Sequence, residues 1–137
     1  MGSSNAAYTE GIRIDGRTNI NSGGGNISMQ GKSYAVAVGG GTGGSGLGFY
    51  HFTQGGVIDS GTGKIYLDGY SQTWGSSYSS GVVLYNVPSF TIKSANTTAD
   101  AIQIIGTATG TSSGQAWGLE SEINAFAVLA TGLGGGI

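Results

Sequence analysis

The stretch Ile20-Asn-Ser-Gly-Gly-Gly-Asn-Ile-Ser-Met-Gln-Gly-Lys-Ser33 returns as Ile58-Asp-Ser-Gly-Thr-Gly-Lys-Ile-Tyr-Leu-Asp-Gly-Tyr-Ser71. Seven of the fourteen positions are identical, and Asn/Asp and Met/Leu exchanges keep the chemistry at two more. A looser third copy starts at Ile92 with three extra residues before Ile102, and a degenerate fourth is expected at Ile123-Asn124. Spacings of 31 to 38 residues in a chain of 137 describe a stack of similar units.

Working outward, each copy is preceded by a Gly-apolar-x-apolar segment. Gly11-Ile-Arg-Ile14, Gly81-Val-Val-Leu84 and Gly118-Leu119 fit it, and Gly48-Phe-Tyr-His-Phe52 is expected to take this place in the second copy. A unit then has three short segments: this one, one centred on Ile20, Ile58, Ile92 or Ile123, and a third at Ile27-Ser-Met29, Ile65-Tyr-Leu67 or Ile102-Gln-Ile104. Each alternates apolar and polar residues, the pattern of a strand with one buried face. Gly, Ser and Asn punctuate the gaps, as turns require. Short strands cannot hold together in isolation. Coiled so that each segment stacks on its own copy, they bury all their apolar residues in one column. The expected fold is all-β: a right-handed parallel β-helix, or β-solenoid, of about four coils, with right-handed connections because parallel crossovers nearly always are. Residues 1–10 read as a leader, 11–131 as the repeat domain and 132–137 as a loose Gly-rich tail, the whole being a segment of something longer.

Composition agrees. Gly, Ser and Thr supply 59 of 137 residues, and the single proline, Pro88, falls between strand segments. Low charge and high Gly are also found in disordered chains. A disordered chain has no reason to repeat Ile pairs in register. A net charge of −2 argues against a nucleic-acid partner, and no apolar run is long enough to span a bilayer. With no cysteine, disulfides and thiolate metal sites are excluded. The competing reading at the C-terminal end is a helix over 120–131, where Ile123, Phe126, Ala127 and Ala130 have helical spacing and Gly132 would stop it.

The Gly-apolar-x-apolar segment followed by Ile20-Asn-Ser-Gly-Gly-Gly-Asn-Ile-Ser-Met-Gln-Gly31 resembles the repeats of filamentous-haemagglutinin-type exoproteins. These are two-partner-secretion adhesins of Gram-negative bacteria. The resemblance spans about residues 11–124 and is clearest at 20–33 and 58–71. It implies a β-helix, an extracellular or cell-surface location and an adhesive or biofilm role. It transfers no functional residue, because the motif positions are structural.

Chemical motifs are sparse. Gly39-x-Gly41-x-x-Gly44 after Tyr34–Val38 imitates a dinucleotide fingerprint, but the residues that follow lack the helix which would receive the pyrophosphate. Gly31-Lys32-Ser33 ends like a phosphate loop whose first glycine would fall on Asn26. His51 is the only histidine, so no His pair for a metal exists, and a serine triad would have to use His51. Glu120 and Glu122, at i and i+2 of a strand, point the same way, but no Asp, Lys or Arg stands at the matching place in the neighbouring copies to complete a cluster. Asn26 and Asn96 stand in N-x-Ser/Thr sequons, and Thr107, Thr109 and Thr111 form a single unrepeated threonine rank. No cofactor, metal or catalytic residue is assigned.

The contact residues expected are aromatic: Tyr70, Trp74, Tyr78, Tyr85 and Trp117, read as lying in or beside loops that emerge on one edge as a ridge. Exposed aromatic faces stack on sugars and on partner side chains. The functional expectation is a non-catalytic structural or adhesive segment of an extracellular adhesin or filament. Its partners would be neighbouring repeats, a second copy end to end, or host and matrix glycans. The alternatives are a polysaccharide-active or carbohydrate-binding β-helix protein and a self-assembling fibre subunit.

Overall fold

The computed structural model describes residues 8–36, 43–50, 55–74, 78–110, 115–123 and 126–137. All of its regular structure is strand. The first coil comprises β1 (Tyr8–Asp15), β2 (Asn19–Asn21) and β3 (Ile27–Val36). The second comprises β4 (Gly43–Tyr50), β5 (Gly56–Asp59) and β6 (Ile65–Trp74), and the third β7 (Tyr78–Val87), β8 (Phe90–Ser94) and β9 (Ile102–Gly110). The fourth has β10 (Gln115–Ile123) and β11 (Phe126–Ala130). Every strand pairs in parallel with its equivalent in the next coil, giving three sheets ordered β1-β4-β7-β10, β2-β5-β8-β11 and β3-β6-β9. The chain is a parallel β-helix.

The repeated stretch owes its sequence to one turn. Asn21 and Asp59 each accept the backbone N–H two residues on, from Gly23 (2.8 Å) and Gly61 (2.9 Å). These glycines hold φ of +64° and +58°, the left-handed region that side chains avoid. The intervening serines close the turn: Ser22 Oγ donates to the Gly25 carbonyl, and Ser60 Oγ to that of Gly63 at 2.6 Å. In the third coil the longer loop reuses the chemistry, with Ser94 Oγ donating to Gly63 O (2.7 Å) and Asn96 accepting Thr98 N–H (2.9 Å).

Stacking of the copies makes the core. Ile20, Ile58, Ile92 and Val128 are in register, as are Ile27, Ile65 and Ile102, and Met29, Leu67 and Ile104. Ile58 and Ile65, flanked by coils on both sides, and Ile102, between the second coil and the C-terminal tail at Gly136, are fully buried. In the first sheet Ile12, Leu47, Val82 and Leu119 are aligned, and Leu119 in the last described coil is 46 % exposed. Phe49 and Phe90 pack at 5.0 Å between ring centroids, and the Phe90 ring fills the space above Gly56.

A glycine seam divides each coil. Gly11, Gly46 and Gly81 press against Gly31, Gly69 and Gly106 so closely that a Cβ on any of them would strike backbone atoms. On one side of the seam lies the apolar column. On the other is a thin polar lobe: Ser33 Oγ donates to Thr9 O (2.8 Å), Ser71 Oγ to Gly44 O (2.9 Å), and Ser79 and Ser71 share a hydroxyl contact at 3.0 Å. These serines are buried and each has a partner, which removes the cost of burying a hydroxyl.

Four expectations change. The first-segment equivalent in the second coil is Gly46-Leu47-Gly48-Phe49, two residues upstream of the expected Gly48, because Leu47 pairs with both Ile12 and Val82. The fourth copy is built on Val128, which pairs with Ile92, whereas Ile123 ends β10 opposite Val87. Of the two readings of 120–131 the coil holds and the competing helix does not: among the described residues β10 and β11 occupy this stretch and pair with β7 and β8. The Gly-rich tail, expected to be loose, lies along the third-coil turn, with Gly136 N–H on Thr98 O (3.2 Å) and Ile102 N–H on Gly136 O (3.1 Å). At the other end β1 opens at Tyr8, so Tyr8 to Glu10 belong to the first coil and not to a leader.

Candidate functional site

The site lies on the outer face of the first sheet. In an uninterrupted strand, residues 10 and 13 would face opposite sides. The seam glycine at position 11 switches the face, so Ile12 and Ile14 point into the core while Glu10 and Arg13 both emerge outside. The same switch at Gly46 and Gly81 brings Ser45 and Tyr50, then Ser80, Val83 and Tyr85, to that face. With Gly43, Gly44, Tyr78 and Glu120 they line a groove of about 490 Å³. It runs along the helix axis, from Glu10 and Arg13 in the first coil, over the glycine floor and tyrosines of the second and third, to Glu120 in the fourth.

Its polar groups are interlocked. Arg13 donates from Nη1 to Glu10 (2.9 Å) and from Nε to Asp15 (2.8 Å), and its guanidinium lies 4.2 Å from the centre of the Tyr50 ring. Hydrogen bonding to Asp15 is the main reason its proton is held more tightly than usual. The Glu10 side chain is only 13 % exposed. Tyr50 folds back over Gly48, and its hydroxyl contacts Ser45 Oγ at 3.1 Å. Burial pushes the Tyr50 hydroxyl up, the Ser45 contact opposes this, and the Glu10 and Glu120 charges add to the rise. Ser80 Oγ donates to Glu120. Tyr50 and Tyr85 meet at 6.0 Å, and Tyr78 stacks on Trp117 at 6.0 Å and 13°.

The expected aromatic residues separate into two groups, and they are strand residues rather than loop residues. Tyr78, Tyr85 and Trp117 are on the first sheet. Tyr70 is on the third sheet in β6, tilted against Tyr34 at 5.7 Å, so no single ridge collects them. The side chain of Trp74 and all of His51 lie outside the described residues, as does the side chain of Glu122. Glu120 is a partly buried groove residue bonded to Ser80, not an exposed member of a pair. The sequon residues serve turns: Asn26 accepts Lys64 N–H (2.8 Å) and Asn96 donates to Thr62 O (2.7 Å). Gly43–Tyr50, after the glycine-rich fingerprint, is strand, so no helix N-terminus faces a pyrophosphate. Thr107 and Thr109 are exposed on β9.

Glu10, Arg13 and Tyr50 were missed by the sequence reading. The signal that locates them is the spacing of the seam glycines at 11, 46, 81 and 118, which sets the register of the first sheet. No family model, curated protein or solved structure matches this chain. Among the described residues, no three acidic or histidine side chains are grouped to hold a metal ion, and no helix is long and apolar enough to cross a membrane.

Proposed function

We propose that this chain is a non-catalytic structural and adhesive segment of an extracellular bacterial adhesin or filament. The observation that carries the reading is the direction in which its interactions run. Core columns, turn hydrogen bonds and ion pairs link one coil to the next: Lys64 with Asp100 (2.7 Å), Lys93 with Asp59 (3.0 Å), and the Asn26 and Asn96 contacts described above. Such an object elongates by adding coils and presents constant walls. Among the described residues no further strand lies beside the outer edges of β1, β10 and β11, and an open strand edge is a template for another chain. A second copy end to end is therefore the expected partner, together with glycans on the wall.

The test combines assembly and turnover. Light scattering and electron microscopy across a concentration series should show end-to-end particles, and protein-coated beads should be retained on glycan surfaces without release of reducing ends. A strictly monomeric species at millimolar concentration that is not retained, or release of reducing ends by the purified protein, refutes the reading.

A further inference from the structure

The groove on the first sheet has a charge pattern that its tyrosines alone do not explain. One carboxylate stands at each end, Glu10 in the first coil and Glu120 in the fourth, with Tyr50, Tyr78 and Tyr85 between them. Glu120 is in register with Arg13 through Val83 and Gly48, so three coil steps of about 4.8 Å and three residues of about 3.3 Å along the strand put the Glu10 and Glu120 backbones roughly 17 Å apart. One sugar ring cannot reach both, and a short oligomer lying along the axis can. Glu10 and Glu120 against Arg13 leave one net negative charge in the lining, and Asp15 beside Arg13 makes two.

Among the described lining residues the one cation, Arg13, is already engaged. Arg13 bonds Glu10 and Asp15, and its flat face covers Tyr50. An anionic ligand would have to break both ion pairs, whereas an ammonium can join the Glu10 carboxylate, which Arg13 contacts at Oε1, without breaking that pair. Hydroxyl and ammonium donors find the carboxylates, Ser45, Ser80 and the Tyr50 hydroxyl along the floor. Tyr85 and Tyr78 are 37 % and 49 % exposed, leaving aromatic surface on which a pyranose ring can stack. A volume of about 490 Å³ fits a small-ligand cleft and is too small for a protein partner.

We propose that this groove binds a short run of an amino-sugar polymer with free amines, its rings on Tyr78 and Tyr85 and its ammonium groups on Glu10 and Glu120. The proposal rests on the reading of the chain as an adhesive segment and names the glycan class that its wall takes.

Calorimetric titration with a glucosamine hexamer tests it, run beside the N-acetylated hexamer, a neutral β-glucan hexamer and a galacturonate hexamer. The glucosamine hexamer should bind at least tenfold more tightly than each of the others, and binding should weaken with added salt. Glu120→Gln and Tyr85→Ala should each weaken it about tenfold while circular dichroism stays unchanged. Equal affinity for the neutral or acetylated hexamer, preference for the galacturonate, or indifference to both substitutions overturns the proposal. The ligand arms need no variant, so a destabilised variant does not blunt the test. A flat titration by protein that still assembles end to end and is retained on other glycans overturns the amino-sugar assignment alone. Loss of assembly and retention overturns the adhesive reading instead.

Discussion

Gly81→Ala should be among the most damaging single-methyl additions to this protein. A Cβ built at position 81 lies 2.6 Å from both the Cα and the carbonyl carbon of Gly106, and closer still to Thr107 N. Ordinary van der Waals contact begins at 3.4 Å and Thr107 N lies at 2.3 Å, so the first and third sheets have to part locally by about 1.1 Å. The obstructing atoms are backbone and cannot swing aside. Val82 and Leu84, buried immediately beyond the seam, lose part of their packing as the sheets separate. Overpacking of this kind costs about 3 kcal/mol, the top of the usual range. With a urea slope of about 2 kcal/mol per molar, the midpoint should fall by about 1.5 M. Gly25→Ala is the matched control: its φ is not positive, its nearest neighbours are 3.7 Å away, and the change should be neutral or stabilising by a few tenths of a kcal/mol. Urea unfolding followed by circular dichroism and by tryptophan fluorescence measures both and shows whether the coils unfold together. If Gly81→Ala unfolds at the same midpoint as Gly25→Ala, the seam is not closed and the two-lobed coil is wrong.

Ile65→Ala removes a fully buried side chain stacked between Ile27 and Ile102 and should cost about 2–5 kcal/mol in the same assay, whereas Ile105→Ala, on the exposed face of β9, should change stability by less than about 0.5 kcal/mol. Asp59 is held below the usual carboxylate range, first by the Gly61 N–H and then by Lys93, and Asp100 first by Lys64. A depressed folded-state pKa contributes stability above the unfolded value, about 4, and loses it as pH falls through the folded value. Melting temperature should therefore be flat from pH 7 to about 5 and drop below about pH 4, with the drop reduced in Asp59→Asn. Asn96→Ala removes the amide donating to Thr62 O and the acceptor for Thr98 N–H, and should accelerate amide exchange at Thr98 before any global unfolding.

The turn was legible because its chemistry is local. Asn21 or Asp59, then Ser, then Gly, is a side-chain-capped turn that any reader of sequence can recognise, and the Ile on either side fix which face is inside. The register of the first sheet was not legible in the same way. Within β4 only Gly46–Phe49 alternates glycine with apolar residues, and the aromatic run from Phe49 onward offers a stronger apolar pattern two residues downstream. The fourth copy was displaced for a similar reason: Ile123-Asn124 imitates Ile20-Asn21 in composition, while Val128 marks the true register through its pairing with Ile92. The groove depended on both. Glu10, Tyr50 and Glu120 converge only after the seam glycines turn their side chains outward, a consequence of sheet-to-sheet contact that no single segment encodes. Aromatic character singled out Tyr78 and Tyr85, which line the groove, and Trp117, which stacks on Tyr78, but the same criterion also selected Tyr70 on another wall.

The parallel ladders have a mechanical consequence. Inter-coil hydrogen bonds in all three sheets point along the axis of the solenoid. A pull distributed over a whole end coil therefore stretches every bond of an inter-coil layer at once, and rupture requires all of them to fail together. A pull applied to one chain terminus loads the same layer in sequence, so the bonds unzip and the coils peel away one at a time at much lower force. The tensile strength of this body thus depends on how it is gripped: it withstands stress spread across its cross-section far better than a tug on a single thread.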